Sequence, residues 1–422
     1  MLEYEAVSLA AGIDVRRFSW IRPLAGDYAD NYSNVAALYA GDPTSPDAWR
    51  AAIARAQQQA RNHREIAAIV GAQQERRGAP PESRAAASLL NDRDTVAVVT
   101  GQQAGAFGGP LFTLLKAITA IQQARRVSAE HGLKAIAVFW VDAEDHDWDE
   151  IHAVTVLDAA FQPKTIEVDP PAGAGQLPVA SLILDARVNR AVEELQATLA
   201  PSDFIDWTME GVRAAWREGQ GVAAAFAGWL ERLLGPLGLV VFESADPAAK
   251  PLVSDLFARE LQFPGKTASL AAEAGVALQE RGHQPQVVPP PDSLSVFRLE
   301  ESRRPIKRQG DQLVVGDGVH SAAALAAEAM DHPERFSPNV LLRPVVQDRL
   351  FPTICYVAGP SELAYLGQLR GIYEHFGVPM PIMYPRASAT LIDSATGRFL
   401  AKYDIPIEDL QRQDESALNR LL

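Results

Sequence analysis

The sequence predicts an α/β fold built on a doubly wound parallel sheet, and three observations carry that expectation. Two short β-branched runs, residues 95–100 and 135–141, are apolar enough to be buried strands, and a helical stretch of crossover length lies between them. Glycine-rich or proline-rich turns follow the first strand at residues 100–110 and a later one at 358–362, where helices should begin. Further short apolar runs return at 239–242, 339–343, 353–357 and 380–384, after two long interruptions. Strands alternating with helices in this rhythm fit a sheet whose ligands bind beyond the strand C-termini.

Each element follows in order. Residues 47–90 are helical in pattern, with Trp49, Ile53 and Ala56 at i, i+4 and i+7 and a break at Gly78, Pro80 and Pro81. Residues 1–90 are therefore expected to form a largely helical section packed on a core spanning 91–391. Two insertions, about 152–236 and 285–335, interrupt that core. The first holds a hairpin near 154–168, a short strand at 182–184 and helices at 189–199 and 222–234. Helices at 248–262 and 266–281 follow the strand at 239–242. The second insertion holds prolines 289–291 and a hairpin near 296–315. A helix at 361–376 leads to the strand at 380–384. Residues 392–422 are expected to begin a C-terminal helical segment that stops short at Leu422.

Composition narrows the function. Acidic residues outnumber basic ones 53 to 39, a formal charge of -14 that would repel a phosphate backbone, so nucleic acid is not an expected partner. The densest basic group, Arg303, Arg304, Lys307 and Arg308, reads as a solvated hairpin edge. Cys355 is the single cysteine, which excludes an internal disulfide and suits a reducing compartment. It lies in an apolar run and reads as a small buried hydrophobe. Glu3 and Glu5 replace the basic stretch that a signal peptide needs, and no run of about 18 apolar residues occurs. A cytoplasmic location without membrane partners is expected.

Residues 100–110 read Thr-Gly-Gln-Gln-Ala-Gly-Ala-Phe-Gly-Gly-Pro. Bare backbone N–H groups and a helix start meet there, which attracts carboxylate or phosphate. Thr100, Gly101, Gln102, Gln103, Gly108 and Gly109 are the candidates, against the alternative of a structural tight turn. The spacing matches neither the dinucleotide fingerprint nor the P-loop, and Lys116 is two turns too far for a P-loop lysine.

Residues 142–150 read Asp-Ala-Glu-Asp-His-Asp-Trp-Asp-Glu. On an extended backbone Glu144 and His146 would face one way, Asp145 and Asp147 the other. His146 held by Asp145 or Asp147 suits acid–base work near neutral pH. A metal site using Glu144 to Asp147, or a solvated acidic loop, are the alternatives, and HExxH is absent. At the third turn, Gly359, Ser361 and Glu362 open a helix. Arg343 and Arg386 each end an apolar run, where a guanidinium can grip a carboxylate or phosphate or form a structural ion pair. No GxSxG elbow surrounds Ser361.

Together these segments, residues 99–118, 138–147, 358–365 and 381–386, resemble the bacillithiol biosynthesis cysteine-adding enzymes, the BshC family. The resemblance implies a Rossmann-like core with connecting insertions and a C-terminal helical coiled coil, which would begin near residue 395 and is almost wholly absent here. A homodimer through those helices is implied for the full-length protein. The implied reaction is ligation of L-cysteine to the amine of N-glucosaminyl-malate, giving bacillithiol. An amide from a free carboxylate needs an activated acyl group, so ATP or another nucleotide is the expected cosubstrate, with no metal assigned; the HxGH signature of class I synthetases is absent. On this reading His146 with Asp145 or Asp147 takes the amine's proton, and Gln102 and Gln103 orient the sugar or malate. Arg343 or Arg386 holds malate or phosphate charge, and Glu144, Gly359, Ser361, Glu362 and Tyr384 join the binding set. A metal-dependent hydrolase or phosphoesterase built on Glu144–Asp147, or a non-catalytic nucleotide- or metabolite-binding module, are the rival functions.

Overall fold

Apolar runs buried on both faces set the frame. The computed structural model describes residues 12–18, 21–300 and 302–411, in two units: residues 36–387, and a smaller one from the described residues before 36 and after 387. The larger unit contains twelve strands among the described residues: β1 (Val96–Gln103), β2 (Ala135–Asp142), β3 (Ala153–Leu157), β4 (Pro163–Glu167), β5 (Leu239–Glu243), β6 (Ser293–Leu299), β7 (Arg303–Gln309), β8 (Gln312–Val315), β9 (Gly318–Ser321), β10 (Phe336–Pro338), β11 (Thr353–Ala358) and β12 (Ile382–Pro385).

The main sheet is parallel throughout, in the order β12-β11-β1-β2-β5. The chain builds outward from β1 through β2 to β5, then returns to β1's other side for β11 and β12. That reversal is the topological switch point where ligands bind in such sheets. Helix Phe112–His131 carries the chain from β1 to β2 and buries Ala117, Ala120, Ile121 and Ala124, spaced for one helical face. With Val98, Phe139, Phe226 and Trp49 they form the core on one side of the sheet. On the other, Trp140 packs on Phe242 at 5.3 Å and Phe242 on Phe351 at 5.1 Å. Covering both faces explains why these strands read as continuous apolar runs.

The first interruption holds the antiparallel β3–β4 hairpin and helices Val188–Thr198, Ile205–Ala215 and Val222–Leu234. The expected strand at 182–184 is only an isolated bridge between Ile183 and Gly221. The second is more than a hairpin: β6 to β9 and β10 form an antiparallel sheet, in the order β10-β6-β7-β8-β9. The expected strand at 339–343 is not formed. Asn339 Oδ1 accepts from Leu341 N and Leu342 N, and Pro344 sits in the first turn of helix Arg343–Leu350, so the local chemistry starts a helix instead. The helix expected at 361–376 is two, Pro360–Leu366 and Arg370–Phe376.

In the smaller unit, Pro23–Asp30 and Ser394–Lys402 are helical, the latter capped by Asp393 through Ala395 N and Thr396 N. The last eleven residues of the expected C-terminal helical segment, 412–422, lie outside the described residues. Among the described residues no helix is long and apolar enough to cross a membrane.

Candidate active site

A cleft of about 700 Å³ opens at the switch point, and Gly101, His146 and Gly359 all line it. Four cationic side chains face it, Lys116, Arg303, Arg343 and Arg386, together with the carboxylates Asp142, Asp145, Glu150 and Glu362.

One wall is built on Lys116. Helical side chains lean toward the helix N-terminus, so a lysine well inside the helix reaches back over the loop. Its Nζ donates to Gly101 O at 2.5 Å and to Gln102 Oε1 at 3.3 Å, and pairs with Glu362 Oε2 at 2.7 Å. Burial pushes the ammonium below its usual range and Glu362 opposes that. Glu362 also accepts from Gly359 N at 2.7 Å and from the Tyr356 hydroxyl at 3.0 Å. The lysine thus ties the first strand-to-helix turn to the third. Arg386 lies over the Phe112 ring, 5.3 Å from its centroid.

The opposite wall carries Asp145 and His146. Asp145 Oδ1 accepts from His146 N at 2.8 Å and from Arg303 Nη1 at 3.1 Å, and Gln103 Nε2 donates to Oδ2 at 3.4 Å. His146 Nδ1 stands 3.4 Å from Asp145 Oδ1, and the side chain is 41% exposed. Nδ1 makes no hydrogen bond among the described residues, so the Asp145 carboxylate is a close electrostatic neighbour of the ring and does not fix its tautomer. Arg303 is not the solvated edge expected of it. Its side chain is 8% exposed, its Nη2 donates to Pro338 O at 2.7 Å and its Nε to Ser337 Oγ at 3.0 Å, and its guanidinium lies 4.0 Å from the Phe297 ring centroid. The second sheet thereby delivers a cation to the core's cleft.

The floor holds Arg343 and Asp142. Arg343 Nη2 donates to the Tyr365 hydroxyl at 3.1 Å and Nη1 to Gln347 Oε1 at 3.2 Å, with Asp142 Oδ2 3.6 Å from Nε. Burial pushes the Asp142 carboxyl up, with Arg343 opposing it, and burial raises the Tyr365 phenol to about 12.

Of the residues expected from sequence, Gly101, Gln102, Gln103, Asp145, His146, Arg343, Gly359, Ser361, Glu362 and Arg386 line this cleft. Thr100, Gly108, Gly109, Glu144, Asp147 and Tyr384 do not. Thr100 donates to Val357 O at 2.9 Å, stitching β1 to β11. Gly108 has φ +102°, and a Cβ there would stand 3.0 Å from Trp229; Gly109, at φ +71°, shares this left-handed backbone. Glu144 is buried in an ion pair with Lys250, whose Nζ also donates to Phe336 O at 3.1 Å. Asp147 accepts from Asp149 N at 3.1 Å on the surface. Tyr384 packs on Trp49. The alternating extended arrangement expected at 144–147 fails because β2 ends at Asp142, after which Ala143 O accepts from Ala180 N and Asp145 O from Val179 N. The acidic cluster is thus divided between three tasks, and among the described residues no three His, Cys, Asp or Glu side chains are grouped to hold a metal ion. Lys116, Asp142, Glu150, Arg303, Asn339 and Tyr356 are polar lining residues outside the set expected from sequence.

The sequence model described as bacillithiol biosynthesis BshC, N-terminal Rossmann-like domain, matches residues 10–387. The chain belongs to the BshC family. A protein named "Putative cysteine ligase BshC" from Salinibacter ruber is 36% identical over 395 residues, covering 91% of this chain and 71% of its own length. Proteins of the same name from Koribacter versatilis and Symbiobacterium thermophilum are each 35% identical over 349 residues, covering 82% and 79% of this chain. The chain spans 64% and 62% of the length of those two relatives.

Proposed function

We propose that this chain carries the active site of a carbon–nitrogen ligase that joins the carboxyl of L-cysteine to the amine of N-glucosaminyl-malate, completing bacillithiol. Family membership supports the reaction class. The observation that carries the reading is the meeting, in one cleft, of a histidine 3.4 Å from an Arg303-held Asp145 with the cations Lys116, Arg343 and Arg386. Malate is a dicarboxylate and an acyl-activating nucleotide is a polyanion, and Lys116, Arg343 and Arg386 suit either.

Condensation needs the cysteine carboxyl in activated form, so a nucleoside triphosphate is the cosubstrate proposed. The sugar amine attacks the activated carbonyl carbon, the C–N bond forms, the activating group departs with its electron pair, and His146 Nε2 takes the amine's proton. Asp145 stabilises the imidazolium so formed. Gln102 and Gln103 orient the sugar or malate hydroxyls, and Gly359, Ser361 and Glu362 complete the pocket edge.

Mass-spectrometric detection of product from cysteine and glucosaminyl-malate, with each nucleoside triphosphate supplied in turn, tests the reaction and rules on a non-catalytic binding module. Full activity in His146→Ala would remove that histidine from the mechanism.

A further inference from the structure

Behind the cleft floor lies a buried polar chain that no step above uses. Helix Arg343–Leu350 places Arg343 and Gln347 one turn apart on the same face. Arg343 Nη1 donates to Gln347 Oε1 at 3.2 Å, and Gln347 Nε2 donates to Asp348 Oδ1 at 3.0 Å. The Tyr373 hydroxyl donates to Asp348 Oδ2 at 2.5 Å. Gln347, Asp348 and Tyr373 are each 1% exposed or less, and Asp348 does not line the cleft.

An amide has one accepting and one donating end, so what it meets on one side dictates what it shows on the other. A carboxylate at 348 takes donors only. It therefore turns the Gln347 NH₂ toward itself and the Gln347 carbonyl toward Arg343. Burial pushes Asp348 up to about 6, and the two donors directed at its oxygens oppose that shift and favour the carboxylate. We propose that Asp348 is a positioning residue that, acting through the Gln347 amide, holds the Arg343 guanidinium aimed into the cleft as the grip for an anionic substrate. This deepens the function proposed above and rests on it for the identity of the substrate.

The relay makes a specific prediction. In Asp348→Asn, the single oxygen of the introduced carboxamide serves either Tyr373 or Gln347. If it serves Tyr373, the new NH₂ faces Gln347, whose amide must flip and present NH₂ to Arg343, donor against donor. The expected result is a rise of roughly tenfold in KM for the anionic substrate with a smaller change in kcat, the scale of one lost charge-assisted hydrogen bond. Adding Gln347→Glu should reverse it. The carboxylate then at position 347 accepts from Arg343 on one oxygen and from the carboxamide at position 348 on the other, while that carboxamide still accepts from Tyr373.

Calorimetric binding of L-malate and of inorganic pyrophosphate reads the same grip without turnover, with Arg343→Met as the reference for its loss and circular dichroism confirming folded protein. Weakened binding in Asp348→Asn together with recovery to within about threefold in the double variant is the outcome expected. A folded Asp348→Asn that binds like the parent means that the carboxamide oxygen stays on Gln347, and Asp348→Leu, which offers neither end of an amide, then decides: parental binding in that folded variant would overturn the relay. So would a double variant no better than the single one, or a parent that binds neither probe. If the probes bind and respond as described but no condensation occurs, the ligase reading fails while the relay stands.

Discussion

Replacing Lys250 with methionine keeps the apolar stem and removes one charge from a buried ion pair. Lys250 and Glu144 are 5% and 7% exposed at their side chains. Burial already pushes Glu144 above its ordinary value of 4.5, and Lys250 is what opposes it. Without the lysine, a buried carboxylate escapes by protonating, which bounds its cost. Holding a proton at pH 7 that it would release at 4.5 costs about 3 kcal/mol, from 1.4 kcal/mol per pH unit. The lost bond to Phe336 O adds about 1 kcal/mol. Because burial raises Glu144 even in the parent, the measured difference should fall somewhat below that sum. The sign follows from linkage: the folded form of the variant binds the extra proton, so its deficit is full near neutral pH and shrinks as pH falls toward 4.5. Urea unfolding at pH 7 and pH 5 should therefore give a deficit of roughly 2–4 kcal/mol that drops to about 1 kcal/mol. A second change, Glu144→Leu, should regain most of the loss at pH 7. A deficit independent of pH, or a double variant worse than the single, would refute the reasoning.

Arg303→Lys keeps the charge but not the fork that reaches Asp145, Ser337 and Pro338 together, so kcat/KM should fall about 10- to 100-fold with little change in melting temperature. Lys116→Met leaves Glu362 without its cation and the two turns untied; anion affinity by calorimetry should drop at least about tenfold, and the melting midpoint should fall as well. Gly108→Ala combines a left-handed backbone with contact on Trp229 and should cost about 1–3 kcal/mol in denaturant unfolding. The folded Gly108→Ala protein should keep its KM, since that residue stands outside the cleft.

The parallel sheet was legible because strands covered on both faces leave an apolar signature in sequence, as β1, β2, β5 and β11 do. The meeting of the glycine loop, the histidine segment and the third turn was legible too, since all three follow core strands. What escaped depends on distant partners. Arg303 reads as a hairpin-edge arginine, and its inward turn is set by Asp145, 158 residues earlier. Spacing alone puts Lys116 too far along its helix, whereas the backward lean of helical side chains returns its ammonium to Gly101. Glu144 and Asp147 carry the same charge as Asp145, but only the fold decides which carboxylate meets Lys250, which meets Arg303 and which meets surface amides. At 339–343 a run of apolar residues masked a capping asparagine and a proline.

The position of β11 also governs how the polypeptide can be assembled on the ribosome. The bond from Thr100 to Val357 joins residues 257 apart, so one flank of the central strand stays unpaired until the ribosome has travelled that distance. At roughly 5–20 residues per second this interval lasts on the order of 10–50 seconds, during which an apolar edge is available for intermolecular association. Stalled nascent chains ending before residue 353 should therefore bind holdase chaperones and be cleaved readily near β1. Chains stalled beyond residue 420 should resist; equal protease resistance at both lengths would mean that the edge is shielded some other way.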